Sequence, residues 1–550
     1  MPDRRVNAVI VGAGAGGGVV AKELSQAGLS VVLLERGGWP QFEDLYHDEL
    51  TSQFYGPLWQ AFGPDDERNR RVLQEPDGTR TIVIPTEGSY GHIAACVGSG
   101  TATYGALAWR YLPQDFRMKS TYGALEGSTL EDWPVTYEDL DPCYEKAEWE
   151  IGVSGDDSGN PFAAPRRKAY PMPPHAYTKA ARLLEPAAKR LGMHPFHTPM
   201  LRNTVPYGGR PACIHCRYCI GFVCEVNAKN GTQNTVIPAA IATGNCEVRT
   251  HCMASELIVD DRGRAQGVKY FDVEDRERVQ QADLVVLSCS ATETARLLLN
   301  SRSRLFPSGA GNRSDWVGRN LQDHAYPGAF GLFDEDVYDD MGPGASIAVM
   351  DFNHGNPGLR GGGALANQFL ALPYGFAKKR PPGEARWGRA HKDFQRRYFK
   401  KFMAVHGPVQ EMPVYDARVD ADPIVKDYWG IPVVRVSGRR HPHDLEISRY
   451  IASKAEAWLK EAGAIKTWKQ LPGMGRGAGA HQAGTCRMGN DPKASVTNRY
   501  GQVHDIDNLF IADGSLHVTN GGFNPALTIM ALGYWVSAYI VREWKGIRFR

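Results

Sequence analysis

Residues 6–37, VNAVIVGAGAGGGVVAKELSQAGLSVVLLERG, decide the fold. Val6 to Val11 is a run of apolar, mostly β-branched residues, the composition of a parallel strand buried on both faces. Gly12, Gly14 and Gly17 follow as G-x-G-x-x-G, and Val19 to Leu24 with Ala27 supply the apolar face of a helix. Gly12 permits the tight strand-to-helix turn, Gly14 leaves room for a pyrophosphate beside the backbone, and Gly17 lets helix and strand pack closely. The free N–H groups and partial positive charge of the helix N-terminus then favour phosphates. Val31 to Leu34 reads as the second strand. Glu35, twenty-three residues after Gly12, closes it with a carboxylate placed to accept hydrogen bonds from a ribose, and Arg36 adjoins it.

The chain has 550 residues, long enough for two interleaved subdomains or two domains. Lys and Arg number 63 against 61 Asp and Glu, so the net charge of +2 gives no electrostatic reason to expect nucleic acid or an anionic membrane. The first core strand begins by Val6 with no apolar signal segment before it, and no apolar run approaches the roughly 18 residues of a membrane span. A cytoplasmic protein is expected. Ten cysteines are too few for a disulfide scaffold.

Small residues recur in ACVGSGTATYGALAWRYLPQDF, residues 95–116, where a backbone can approach a flat or anionic group. Tyr177 to Leu191 has helical spacing with a stop at Gly192, and residues 444–463 form an amphipathic helix ending at Gly463. EVRTHCMASELIVDDRGRAQGVKYFDV alternates like a β-meander turning at Asp261 to Gly263, and ADLVVLSCS reads as a further buried strand. The basic stretch AKKRPPGEARWGRAHKDFQRRYFKKF reads as a solvated helix or lid flank, since the chain carries no nucleic-acid-binding motif. LFIADGSL and NPALTIMALGYWVSAYIVREW read as strand, turn and a long buried helix that rejoins the first unit.

The first fingerprint, the glycine block at 95–105, DWPVTYEDLDPCYEKAE at 132–148 and GAHQAGTCRMG at 479–489 followed by NLFIADGSLHVTNGGFNPALTIMALGYWVSAYI occur in one order. In that order they resemble the glucose-methanol-choline family of FAD-dependent oxidoreductases, nearest to its sugar-acting branch of gluconate and glucose dehydrogenases, pyranose oxidase and glycoside 3-oxidases. The resemblance implies a Rossmann-like α/β FAD-binding domain (1–55, 80–150, 205–300 and 475–550). Interleaved with it is an α+β substrate domain on an antiparallel sheet (56–79, 151–204 and 301–474). It implies that His481, in H-x-x-G-T, removes a hydroxyl proton while hydride passes to the flavin N5, with Asn524 opposite the same hydroxyl. An imidazole can accept that proton near neutrality. An amide cannot, but it can hold the hydroxyl in line. His504 and His517 match no motif and are expected to be structural. The resemblance also assigns FAD contacts to Gly98 and Thr101, to Ala254 beside the adenine, to Asp513 and Gly514 near the ribityl and pyrophosphate portion, and to Asn524, Pro525 and Thr528 near the ring. In pyranose oxidase a His of the glycine block bonds covalently to the flavin; the matching residue is Thr103, so the FAD is expected to be non-covalent.

Cys213, Cys216, Cys219 and Cys224 give C-x2-C-x2-C-x4-C. Thiolates at that spacing can converge on an iron–sulfur cluster or zinc. They can equally be small buried thiols, and no metal is the expectation. The functional expectation is oxidation of a sugar or glycoside hydroxyl to a carbonyl, with oxygen or a quinone-type acceptor. The alternatives are a gluconate-type or other alcohol dehydrogenase with an external electron partner, in which a small companion subunit would fit, and a flavin-binding scaffold or electron-transfer subunit without catalysis.

Overall fold

Strand Asp3–Val11 is the axis of the first sheet in the computed structural model, which describes all residues except 1–2, 42, 44–46, 53–61, 370, 476–478 and 550. It pairs in parallel with Val31–Leu34 on one side and with Glu277–Leu287 on the other. Ala8, Val9 and Ile10 have no exposed surface, as a strand apolar on both faces requires. Cys246–Arg249 extends the sheet beyond Val31–Leu34, again in parallel. The sequence reading merges that strand with the meander. Instead His251, with φ of 55°, turns the chain out of register, and the meander begins at Met253. It runs Met253–Val259, Ala265–Phe271 and Glu277–Leu287.

The last of these strands forks. Its first half pairs antiparallel with Ala265–Phe271, and its second half, Val285 to Leu287, pairs in parallel with Leu509–Ile511 near the end of the chain. Helix Ala15–Gln26 buries Val19, Val20, Ala21 and Leu24 and packs on the C-terminal helix Ala526–Phe549. That C-terminal helix begins two residues later than expected: Pro525 lies just before it, where a missing N–H costs nothing, and Asn524 stands outside it.

The second sheet is antiparallel throughout and has seven strands, in the order Lys466–Gln470, Gly328–Leu332, Phe402–His406, Leu365–Asn367, Ile347–Val349, Phe196–Met200 and Ser154–Asp156. Helices Pro442–Glu461 and Lys179–Arg190 pack on it, their apolar faces carrying Ile447, Ile451, Trp458, Leu184 and Ala188. Both helices are followed by a glycine of positive φ, Gly463 at 98° and Gly192 at 71°, where the sequence places their stops. A third, four-stranded sheet joins the hairpin Arg71–Gln74 and Arg80–Val83 to Pro432–Ser437 and Arg418–Lys426. That hairpin spans the expected division at 79/80, and the division at 55/56 lies outside the described residues. The basic segment forms Gly388–Tyr398, an exposed helix that buries only Phe394. Among the described residues no helix is long and apolar enough to cross a membrane.

Candidate active site

The glycine turn opens onto a cavity. Gly12, Gly14, Glu35, Arg36 and Ala254 line it together, with Ser99, Ser288 and Glu293. Gly12 has φ of 97°, and a Cβ there would stand 2.2 Å from the Ser288 carbonyl oxygen. Gly17 does not line the cavity. A Cβ on it would come within 1.9 Å of the Gly12 carbonyl oxygen, so its role is the close packing of helix on turn. Gly14 caps helix Ala15–Gln26 without a side-chain acceptor, which leaves the first N–H groups for a ligand. Glu35 is buried and accepts from Ala13 N at 2.9 Å and Gly37 N at 3.0 Å, which fixes its carboxylate at the cavity wall. Burial pushes its pKa up against those two bonds.

Asp513 reaches the same region from the far end of the chain. It accepts from Thr294 Oγ1 at 2.6 Å and from Ser515 N at 2.9 Å, capping the short turn Gly514–Leu516. Thr101 is buried in the glycine block, where its hydroxyl donates to Gly98 O at 2.7 Å and accepts from Thr232 N at 3.1 Å. Thr103, two residues on, is buried as well. Thr528 turns its hydroxyl to Tyr144 at 2.8 Å inside the core, so it is held by the protein itself.

His481 and Asn524 meet, although 43 residues separate them: Asn524 Nδ2 lies 3.4 Å from His481 Nε2. Asn524 Oδ1 accepts from the indole N–H of Trp109 at 3.1 Å, and its Nδ2 donates to the Tyr326 hydroxyl at 2.6 Å. An indole N–H can only donate, so the amide is oriented with its NH₂ toward His481. The Trp109 ring packs on Phe196 and Phe523, and the next residue, Arg110, makes a buried bidentate pair with Glu148 at 2.8 and 2.7 Å.

On its other side His481 Nδ1 is 2.8 Å from His324 Nδ1, and His324 Nε2 is 2.6 Å from the Gly521 carbonyl oxygen. The backbone N–H of His481 donates to Asp323 Oδ1 at 3.2 Å, and Asn520 Nδ2 donates to its carbonyl at 3.0 Å. Glu411 ties down the opposite segment, accepting from Asp323 N at 3.2 Å and Ala325 N at 2.8 Å while pairing with Arg440 Nε at 2.7 Å. Asp323 packs so closely on Gly479 that a Cβ there would fall 1.9 Å from its carboxylate. Burial, with the cations His324 and His92 would present, drives the His481 pKa well below the ordinary imidazole value. Burial likewise takes His324 down to about 4, and burial with the neighbouring Glu411 charge pushes Asp323 up to about 6. The result is a neutral imidazole at physiological pH, the state in which it can accept a proton.

His504 bonds to Ser495 Oγ at 2.9 Å, and His517 packs its ring on Tyr111 and Trp133 and bonds to Asn520 Oδ1 at 3.1 Å. Sequence reasoning missed His324, Tyr326 and Trp109. For His324 and Tyr326 the only signal available was LQDHAYPG, four polar or aromatic residues ahead of a strand, without a spacing rule to tie them to His481, and Trp109 lies in the glycine block with nothing to single it out.

Cys213, Cys216, Cys219 and Cys224 are not joined in disulfides, and among the described residues no group of three or more His, Cys, Asp or Glu could hold a metal ion. Burial pushes the Cys216 thiol up to about 11. The buried Lys229 binds this loop, donating to Cys219 O and Phe222 O at 2.6 Å and to Tyr104 O at 2.9 Å.

The chain is 30% identical to the gluconate 2-dehydrogenase flavoprotein of Pantoea cypripedii, over 98% of this chain and 94% of that one. It is 31% identical to the 6'''-hydroxyparomomycin C oxidase of Streptomyces lividus, over 96% and 90% respectively. Its fold is shared by pyridoxine 4-oxidase from Mesorbium loti, with a TM-score of 0.62 at 15% identity, covering 97% of this chain and 98% of that one. Residues 130–326 and 413–533 match the N- and C-terminal models of the GMC oxidoreductases, and the chain belongs to that family, as an FAD-dependent oxidoreductase acting on CH–OH groups.

Proposed function

We propose that this protein oxidises a hydroxyl of a sugar or glycoside to a carbonyl, with His481 as the base and Asn524 as the group that holds the hydroxyl. The observation that carries the reading is the convergence of His481 Nε2 and Asn524 Nδ2, 3.4 Å apart, one an acceptor and the other a donor. A hydroxyl between them gives its proton to the imidazole and accepts from the amide. Two relatives named for gluconate and 6'''-hydroxyparomomycin C support the substrate class.

The cradle fits FAD. The uncapped helix start at Gly14, the anchored Glu35 carboxylate and the Ala254 wall suit pyrophosphate, ribose and adenine in turn, with Arg36 beside the ribose side. Gly98, Thr101, Thr103, Asp513 and Gly514 would close around the rest, and Asn524 and Pro525 bring the C-terminal helix to the ring. Bound FAD supplies the two-electron acceptor for the hydride released as the carbonyl forms. Thr103 has no nitrogen with which to link it, so the FAD is non-covalent. On this reading segments 1–55, 80–150, 205–300 and 475–550 make the FAD-binding part, and 56–79, 151–204 and 301–474 the substrate part.

The test is anaerobic titration of the yellow protein with a panel of sugars, glycosides and simple alcohols, then admission of air. Bleaching by a sugar or glycoside and not by simple alcohols supports the reading, and bleaching by none of them overturns it. The dehydrogenase name of one relative favours a second reading, a gluconate-type enzyme with an external acceptor. It predicts slow recovery of colour in air and rapid recovery with a quinone. In the same assay His481→Ala is expected to slow reduction by about a hundred- to ten-thousand-fold with FAD still bound. Asn524→Ala should lose less, because it removes orientation and not the proton acceptor. Wild-type reduction in His481→Ala would overturn the mechanism.

A further inference from the structure

Nothing in the reading of His481 as base explains why its outer nitrogen, and not the inner one, should be free of hydrogen. In a neutral imidazole either nitrogen can carry the proton, and only the bare one can accept another. The choice has to be imposed from outside the ring.

We propose that His324 is a positioning residue that holds His481 in the tautomer a base requires, and that the Gly521 carbonyl sets both rings. The inference rests on His481 being the base. The chain of bonds leaves one assignment. Gly521 O can only accept, so His324 Nε2, 2.6 Å away, carries a hydrogen. A neutral His324 then has a bare Nδ1. That atom faces His481 Nδ1 at 2.8 Å, so His481 Nδ1 must donate and His481 Nε2 is left bare. A second line reaches the same result from the other side. Trp109 forces Asn524 to turn its NH₂ toward His481 Nε2, and a donor there suits a bare nitrogen and opposes a hydrogenated one. Two fixed groups, a backbone carbonyl and an indole N–H, thus agree on the same tautomer.

The neutrality of His324 follows from its surroundings. It is buried; Glu411, the bond to Gly521 O and Asp115 favour a positive charge on it and Arg440 opposes one, and the burial outweighs the groups that favour it. In the reaction the substrate O–H bond breaks as an N–H bond forms at His481 Nε2. The hydride leaves the carbon with the bonding pair, to the flavin. His481 becomes an imidazolium whose Nδ1–H already points at His324 Nδ1, so the new charge is received by a hydrogen bond in place before the proton moves. Without His324 the Nδ1–H has no acceptor, the two tautomers come close in energy, and the ring is free to turn.

The experiment is stopped-flow reduction of FAD-loaded wild type, His481→Ala, His324→Leu and His324→Asn by the best substrate found. The asparagine side-chain oxygen can take the place of His324 Nδ1 as acceptor, although it cannot titrate. His324→Leu is expected to slow the limiting rate by about a hundredfold with little change in the substrate concentration needed, and His324→Asn to stay within about tenfold of wild type. A merely structural histidine would not be rescued by asparagine. His324→Met, which fills more of the ring's volume, replaces the leucine variant if that variant fails to retain FAD. Independently of turnover, nitrogen NMR of resting protein labelled with ¹⁵N-histidine should show His481 with a bare Nε2, assigned by its loss in His481→Ala. Mixed tautomers are expected in His324→Leu and a single one in His324→Asn. Reduction at the wild-type rate in His324→Leu, an asparagine variant no faster than leucine, or a hydrogen on Nε2 in the wild type would each overturn the proposal. A slow His481→Ala beside a fast His324→Leu removes only this inference, whereas a fast His481→Ala removes the base itself.

Discussion

Glu35, proposed to receive a ribose, already has a structural task. Its two oxygens already accept from Ala13 and Gly37 across the glycine turn, so it is immobile before any ribose arrives. Glu35→Ala should therefore weaken FAD retention far more than it slows reduction of the fraction that keeps FAD. Fluorescence titration of the apoprotein with FAD measures this, and unchanged affinity would count against the assignment. Thr103 makes a prediction of opposite character: acid precipitation should release all the yellow colour to the supernatant, and colour left on the pellet would refute a non-covalent FAD. Residues such as these could be singled out in the sequence because each sits at a fixed offset from a glycine motif. His324 was not, because its meaning lies in a bond to a ring 157 positions away and to a carbonyl in a third segment.

At the level of elements the turn between strand Asp3–Val11 and helix Ala15–Gln26 depends on missing side chains. Gly17→Ala would drive a methyl group to 1.9 Å from the Gly12 carbonyl oxygen, a contact the backbone must shift to relieve. The expected loss is about 1–3 kcal/mol of stability together with weaker FAD binding, read as a lower unfolding midpoint that FAD no longer raises to the wild-type value. An alanine variant with wild-type midpoint and FAD affinity would show that the turn tolerates what the geometry forbids. The same element explains what sequence could reveal. Strand, turn, helix and second strand were legible because apolar periodicity and glycine placement act within about thirty residues. The stops at Gly192 and Gly463 were legible for the same reason. The edge strand Cys246–Arg249 was not, since its alternation matches a meander and only the positive φ at His251 separates the two. The seven-stranded antiparallel sheet drew its short strands from segments up to three hundred residues apart, and three-residue strands such as Ile347–Val349 carry no period to read.

Across the whole molecule several imidazoles are buried in the neutral form. Burial brings His175 down to about 2, His406 to about 3, and His324 and His517 to about 4. A histidine depressed in the fold titrates at its ordinary value when unfolded, so the unfolded chain gains protons first and stability falls as pH drops below about 6.5. Four such groups cost on the order of 5 kcal/mol by pH 5.5, at about 1.4 kcal/mol per group per unit. Asp323, raised to about 6, works the other way, as do Glu35, Glu49 and Asp513, which burial also raises, while His481, His197 and His504 add to the loss. The thermal midpoint at saturating FAD should therefore fall steeply between pH 7 and 5.5, and a flat profile would show that these rings are charged or solvated in the fold. The forked strand Glu277–Leu287 makes the cofactor cradle depend on distant segments at once. One partner, Asp3–Val11, and another, Leu509–Ile511, come from widely separated parts of the chain. The Ala512 carbonyl oxygen occupies the space where a side chain on Gly16 would stand, 1.6 Å from that Cβ. The wall behind the first glycine turn is thus contributed by a distant segment of the chain, so a variant truncated before Ala512 should be purified colourless, and one that keeps its yellow FAD would show that the wall is dispensable.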